Sequence, residues 1–223
     1  PSILALWKSL GLKYDIIISG YLGSIDQIEM VKSVKKDFLK EDGLMIVDPV
    51  MGDNGVLYSH FDQKFVDEMK GLCRTADVIV PNLTEACFLT DTDYKEANEN
   101  SYVKVIDKLR SLCPRPSVTG CDVQTKKGVE SCVFYTTEDG NVKTYSTEKI
   151  EGAFHGAGDV YASALVGCLA RGVNTDKAVA ISAEFTKDSI KQTKKDATEV
   201  RYGLNSESQM YGYLKALHKA AKK

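Results

Sequence analysis

Apolar residues recur along this chain with two periods, and the periods alternate. Tyr14-Asp15-Ile16-Ile17-Ile18 is a short β-branched run that reads as a buried strand. The next segment carries Ile28, Val31, Val34 and Phe38 on one face of a helix, with Ser24 in place to cap it. A second strand spans 44–47 and closes on Asp48-Pro49, a helix covers about 60–72, and a strand over 77–80 ends in Pro81-Asn82. Short helices are predicted over 83–89 and 102–112, the second with Tyr102, Val105, Ile106 and Leu109 at helical spacing. Ser117-Val118-Thr119 is a short strand stopped by Gly120. Residues 129–136 and 141–147 form an antiparallel hairpin around Asp139-Gly140, and helices near 157–171, 175–190 and 207–219 complete the chain.

Repeated strand–helix alternation predicts an α/β fold, three layers with a mostly parallel central sheet and helices on both faces. No internal repeat or linker interrupts it, so residues 1–223 read as one domain. Open sheets of this kind bind ligands beyond the carboxyl ends of their strands. Gly20-Tyr21, Asp48, Asn82 and Thr119 each fall at such an end.

Composition narrows the function classes. Hydrophobic residues make up 43% and charged residues 27%, with a formal net charge of -2, so no strong field favours nucleic acid or an anionic membrane. No apolar run approaches the roughly 20 residues of a membrane span, and the N-terminus lacks the pattern of a signal peptide. The six cysteines are scattered without a Cys-x-x-Cys pair, which points to reduced, buried thiols and a cytoplasmic setting. Lys191, Lys194 and Lys195, and Lys219, Lys222 and Lys223, read as solvated faces. Trp7 is expected in the core, and His60 and His218 at the surface. The chain opens on Pro1, and residues upstream of it are expected.

Three segments carry candidate chemistry. Gly152-Ala153-Phe154-His155-Gly156-Ala157-Gly158-Asp159 runs into a helix. Its glycines allow an anion to approach the free N–H groups of the helix start, and Asp159 stands directly behind them. Phosphoryl transfer needs such a cradle and a base for the acceptor hydroxyl; the plain alternative is a tight loop with a helix-start acid. Asp48-Pro49-Val50-Met51-Gly52-Asp53-Asn54-Gly55 is either a cation-holding loop or a turn rich in Asp, Asn and Gly. Pro81-Asn82-Leu83-Thr84-Glu85-Ala86 is either a capping box or a place for Glu85 to act on Mg²⁺, directly or through water. His155 either packs against its loop or takes part in the chemistry.

In order, these segments and Ser19-Gly20-Tyr21-Leu22-Gly23-Ser24 resemble the vitamin kinases of the ribokinase-like superfamily, above all the pyridoxal kinases, from about Tyr14 onward. The resemblance implies ATP-dependent phosphorylation of the 5′-hydroxymethyl group of pyridoxal, pyridoxine or pyridoxamine, with Mg²⁺ accompanying ATP. By position, Asp159 looks like the base, also touching substrate, and Gly156, Ala157 and Gly158 like the anion hole. Asn82, Glu85 and Asp48 look like the Mg²⁺–phosphate side, with Asp48 and Glu85 as metal ligands. Thr119 matches a nucleotide-contacting position, Tyr21 a substrate-binding one, and Tyr58 a mobile flap. A monovalent cation and a homodimer are left open by the resemblance. The family's first strands are expected to precede Pro1. Ala153-Phe154 departs from the Asp-Thr of many superfamily members, which points away from sugar kinases. Hydroxymethylpyrimidine kinases are the near alternative; they usually carry Cys at the Asp159 position and Met at the Tyr21 position. An inactive nucleotide-binding relative is the alternative from another class.

Overall fold

The computed structural model describes residues 2–126, 128–197 and 199–221. The chain packs as two compact units, Pro1–Ala97 with Lys104–Ser117, and Asn98–Val103 with Val118–Lys223.

The first unit holds α1 (Ser2–Ser9), β1 (Tyr14–Ser19), α2 (Ile25–Phe38), β2 (Leu39–Val47), β3 (Gly52–Asp53), β4 (Val56–Leu57), α3 (Gln63–Cys73), β5 (Val78–Ile79) and α4 (Leu83–Leu89). The chain passes between units within α5 (Tyr102–Leu109) and β6 (Arg115–Thr125). In this unit the strands lie in the order β1-β2-β5-β6, every pair parallel. Met45, Ile46, Val47 and Ile79 are buried in the sheet, and Ile28, Val66, Met69 and Leu72 are buried on its helices.

Ser24 caps α2 by accepting from Gln27 N, and Asp26 early and Lys35 and Lys36 late in the helix suit its dipole. After Phe38 the chain enters β2 with no loop, so this strand begins well before the predicted 44. Tyr14 pairs with Leu39 but Ile16 with Leu44, so the intervening residues of β2 bulge outward. Gly43 allows this, since a Cβ there would lie 2.9 Å from the carbonyl oxygen of Asp15. Helix α3 starts at Gln63 rather than His60 because Asp62 accepts from Phe65 N at 3.0 Å and sets the cap. Trp7 is half-buried, edge-on to Tyr14 and Phe38.

The second unit continues β6 and adds β7 (Gly128–Thr136), β8 (Val142–Glu148), α6 (Ala157–Ala170), α7 (Thr175–Lys195) and α8 (Met210–Ala221). The strand order is β6-β7-β8, with β7 and β8 antiparallel across the expected Asp139-Gly140 turn, where Gly140 takes φ +77°. Strand β6 does not stop at Gly120. It passes through that residue at φ +70°, a conformation glycine adopts freely, and runs on to Thr125. Tyr135 Oη donates to Asp176 at 2.9 Å and Tyr145 Oη to Glu184 at 3.0 Å, pinning α7 to the hairpin. The parallel strands with their flanking helices make the fold α/β, as the alternation predicts.

All six cysteines are free and buried. Among the described residues no helix is long and apolar enough to cross a membrane. Lys222 and Lys223 of the basic terminus lie outside the described residues.

Candidate functional site

In the first unit, the chemistry gathers at the carboxyl ends of β1, β2 and β5. Asp48 follows β2 directly, is 6% exposed, and donates its backbone N–H to the carbonyl of Ser19 at the end of β1. The loop beyond it folds into the two-strand β3–β4 hairpin. Asn54 (φ +52°) and Gly55 (φ +78°) turn it, the left-handed pair that a tight hairpin of this hand requires. Asn-Gly was a legible signal for this element, which the periodicity of so short a segment did not reveal.

Asn82 and Glu85 tie this loop to α4. Asn82 Oδ1 accepts from Glu85 N at 2.9 Å, and Glu85 Oε2 accepts from Asn82 N at 2.8 Å, a complete capping box. Each side chain also reaches the loop. Asn82 Nδ2 donates to the Gly52 carbonyl at 2.9 Å, and Glu85 Oε1 accepts from Met51 N at 3.1 Å. Thr84 Oγ1 accepts from Gly55 N at 2.9 Å. Gly52 has to be glycine, because a Cβ would lie 2.5 Å from the Val56 carbonyl oxygen.

Glu85 is 2% exposed. Burial pushes its carboxyl up to about 8, the nearby Asp48 charge adds to the rise, and the amides of Asn82, Met51 and Gly52 oppose it. Among the described residues no three His, Cys, Asp or Glu side chains cluster as a complete metal cage. Asp48 beyond β2 and Glu85 in the first turn of α4 are nonetheless two buried, hard oxygen donors, and a bound cation would favour the ionised form of Glu85 that burial and Asp48 disfavour. That suits Mg²⁺, which keeps several waters and binds through one or two carboxylates plus phosphate oxygens.

Tyr21 stands just beyond β1. It is 56% exposed, yet its hydroxyl is held at 2.7 Å from His60 Nε2. The His60 ring lies 4.1 Å from that of Phe61, which stacks at 3.9 Å on the buried Phe65 of α3. Tyr58, on the same loop, is 6.5 Å from Phe61. His60 is at the surface as expected, but its bond to Tyr21 joins residues too distant in sequence for any local pattern to reveal.

In the second unit, Gly156 is the N-cap of α6, at φ +82°. The first helical bond runs from Val160 N to the Gly156 carbonyl at 3.0 Å, so the N–H groups of Ala157, Gly158 and Asp159 precede the intrahelical ladder. A Cβ on Gly156 would lie 4.0 Å from Asp159 Oδ2, and one on Gly158 would have no neighbour within 4 Å. The Asp159 carboxylate is thus exposed and turned back over the helix start. The loop before it is braced by Phe154, whose ring would lie 2.9 Å from a Cβ on Gly152. His155 is exposed. Thr119 is half-buried inside β6, one residue before the Gly120 bend, rather than past the end of a strand. An oxyanion arriving at α6 would meet free N–H groups, a favourable dipole and a carboxylate able to take a proton.

Residues 11–204 match the phosphomethylpyrimidine kinase family. The pyridoxine kinase of Bacillus subtilis is 30% identical over 190 residues, which cover 82% of this chain and 66% of that protein. A Bacteroides thetaiotaomicron protein assigned as a phosphomethylpyrimidine kinase, crystallised with pyridoxal, superposes with a TM-score of 0.85 at 31% identity, covering 99% of this chain and 75% of that one. Pyridoxal kinase from Lactobacillus plantarum gives a TM-score of 0.85 at 28% identity, covering 98% and 77%. The chain spans between about half and two thirds of the length of the curated relatives it matches, 48% at the low end.

Proposed function

The chain belongs to the phosphomethylpyrimidine kinase family, and from that premise we propose that it transfers the γ-phosphoryl group of ATP to the 5′-hydroxymethyl group of pyridoxal, pyridoxine or pyridoxamine. The observation that carries this reading is the start of α6, where the left-handed Gly156 and the bare Gly158 leave the first amides open beside the Asp159 carboxylate. The similarity to a pyridoxal-bound structure supports the choice of acceptor.

In this reading the amides of Gly156, Ala157 and Gly158 hold the phosphoryl oxygens as negative charge builds on them. Asp159 takes the proton of the acceptor hydroxyl, that oxygen bonds to the γ-phosphorus, and ADP leaves with the electrons of the broken bond. Asp159 also orients the hydroxymethyl group before the proton moves. Tyr21 presents an aromatic face to the vitamer ring, and Tyr58 belongs to the covering loop. Asp48 and Glu85 would hold Mg²⁺, with water and phosphate oxygens as its other ligands, and Asn82 and Thr119 contact the nucleotide. When bound, the ion supplies positive charge to the phosphates. The same reading takes residues 1–223 as one cytoplasmic kinase domain, and the free, buried thiols agree with a reducing compartment.

The family's own description favours a second reading, phosphorylation of a hydroxymethylpyrimidine. One experiment tests both: ATP turnover by the full-length protein with pyridoxal, pyridoxine, pyridoxamine and hydroxymethylpyrimidine as acceptors. Turnover highest on a B6 vitamer supports the first reading, highest on the pyrimidine replaces it with the second, and none on any acceptor removes both.

A further inference from the structure

We infer that His60 is a positioning residue that sets how the protein holds the ring of its acceptor, acting through the hydroxyl of Tyr21. The inference rests on the kinase reading above and adds to it a residue with no place in the glycine loop or the phosphate side.

An exposed tyrosine beyond a strand end ordinarily samples several rotamers, and fixing a side chain against a ligand costs binding free energy. Tyr21 is 56% exposed, but its hydroxyl is tied to His60 Nε2 at 2.7 Å. His60 is in turn fixed from behind. Its ring lies 4.1 Å from Phe61, and Phe61 stacks at 3.9 Å and 13° on Phe65. Phe65 is 4% exposed and sits in the first turn of α3, where Asp62 caps the helix. A continuous ladder therefore runs from the core of the first unit to the Tyr21 phenol. Tyr21 also faces Phe61 directly at 6.0 Å, so the ladder closes on itself. Its solvent side is a rigid aromatic face, with its one polar handle, the phenol oxygen, held in a fixed place by an imidazole that can donate or accept.

Such a face suits a flat heteroaromatic ring bearing polar substituents, the chemical class to which pyridine and pyrimidine alcohols both belong. The phenol's direction decides which ring edge it meets, and His60 decides the phenol's direction. His60 thus acts on acceptor affinity and selectivity and not on phosphoryl transfer itself. The expected signature is an acceptor KM that changes while kcat and the KM for ATP do not.

The test is a double-mutant cycle in the full-length protein, with His60→Phe, Tyr21→Phe and the pair, and His60→Gln as the conservative variant. His60→Phe keeps a ring against Phe61 and deletes the bond. It should raise the acceptor KM about three- to tenfold, the range one net hydrogen bond commands, with kcat and the melting temperature unchanged. In the Tyr21→Phe background the same substitution should have no further effect, and His60→Gln, which keeps a donor and acceptor at that reach, should recover most of the affinity. Wild-type turnover with effects that simply add in the double variant, or an unchanged KM in His60→Phe, overturns the inference and leaves the kinase reading standing. A wild-type protein that phosphorylates none of the pyridine or pyrimidine alcohols overturns the kinase reading, and the inference falls with it.

Discussion

Asn82 and Glu85 cap each other across the first turn of α4, and each also holds the Gly52 loop, Asn82 through the Gly52 carbonyl and Glu85 through the Met51 amide. A capping box is often offered as an alternative to a functional role. Here it does more than cap, because the same two side chains tie the start of α4, beyond β5, to the loop that follows β2.

The buried Glu85 makes folding stability depend on pH with a definite sign. Its folded value, about 8, is raised above the ordinary 4.5, so the folded protein holds this proton more tightly than the unfolded chain does. The stabilisation is fully present below about 4.5 and is lost as the pH rises toward 8. Glu85→Gln removes the titration, and it also removes one of the two acceptor oxygens, at a cost of roughly 1–3 kcal/mol for the backbone N–H left without a partner. Melting temperatures in metal-free buffer should therefore show wild type most ahead of the variant near pH 5, with the gap shrinking toward pH 8. A gap that stays constant or widens would mean Glu85 is ionised throughout. In turnover assays the same substitution should raise the Mg²⁺ requirement more than the acceptor KM.

Asp159 is exposed, so its removal should cost little stability. Asp159→Asn keeps size and polarity but cannot take a proton. Turnover should fall by roughly 10²–10⁴-fold, the usual contribution of a positioned base, while ADP affinity by calorimetry and the melting temperature hold. Turnover within a few-fold of wild type removes Asp159 from the mechanism.

A purely structural prediction lies behind α6. Tyr213 Oη donates to the Ala164 carbonyl at 2.9 Å, and a Cβ on Gly167 would lie 2.3 Å from that hydroxyl. Alanine normally improves a helix interior over glycine. Here Gly167→Ala should destabilise by about 1–3 kcal/mol, the usual cost of overpacking, because Tyr213 has to leave its partner. The Tyr213 ring carbon nearest the site is at 3.6 Å, an ordinary contact, so adding Tyr213→Phe should restore most of the loss. Failure of the second substitution to rescue the first would place the strain elsewhere.

Features with local causes were readable from the chain alone. The β-branched run of β1, the Ser24 cap of α2, the Asn82 and Glu85 box and the Asp139-Gly140 hairpin each depend on neighbours in sequence, and each is found near its expected position. What stayed hidden depends on distant partners. Strand β2 begins at Leu39 because it has Tyr14 to pair with, and β6 passes Gly120 because glycine tolerates the bend that the strand needs. The Tyr21–His60 bond joins residues 39 positions apart, and no period in the sequence reports it. Of the candidate site, residue identities were legible within each segment. Burial was not, and burial is what separates Glu85 from Asp159.

Gly156 and Gly158 allow the anion-cradle reading to be separated from a mere tight turn. If the loop exists only to turn the chain, each glycine should be explained by its own backbone. Gly156 is so explained: at φ +82° a side chain costs about 1–2 kcal/mol, and Gly156→Ala should lower the melting temperature whatever the function. Gly158 is not. It is the second residue of α6, it is not in the left-handed region, and a Cβ there would meet nothing within 4 Å. On folding grounds alanine is the better residue at this position, by about 0.5–1 kcal/mol. A glycine kept where alanine would be more stable needs a reason outside the folded chain, and the close approach of an anion to the helix amides is one. Gly158→Ala should therefore hold or raise the melting temperature while raising the KM for ATP and lowering kcat. Unaltered kinetics in a variant of undiminished stability would show that nothing approaches this backbone closely, and the phosphate would have to be held elsewhere.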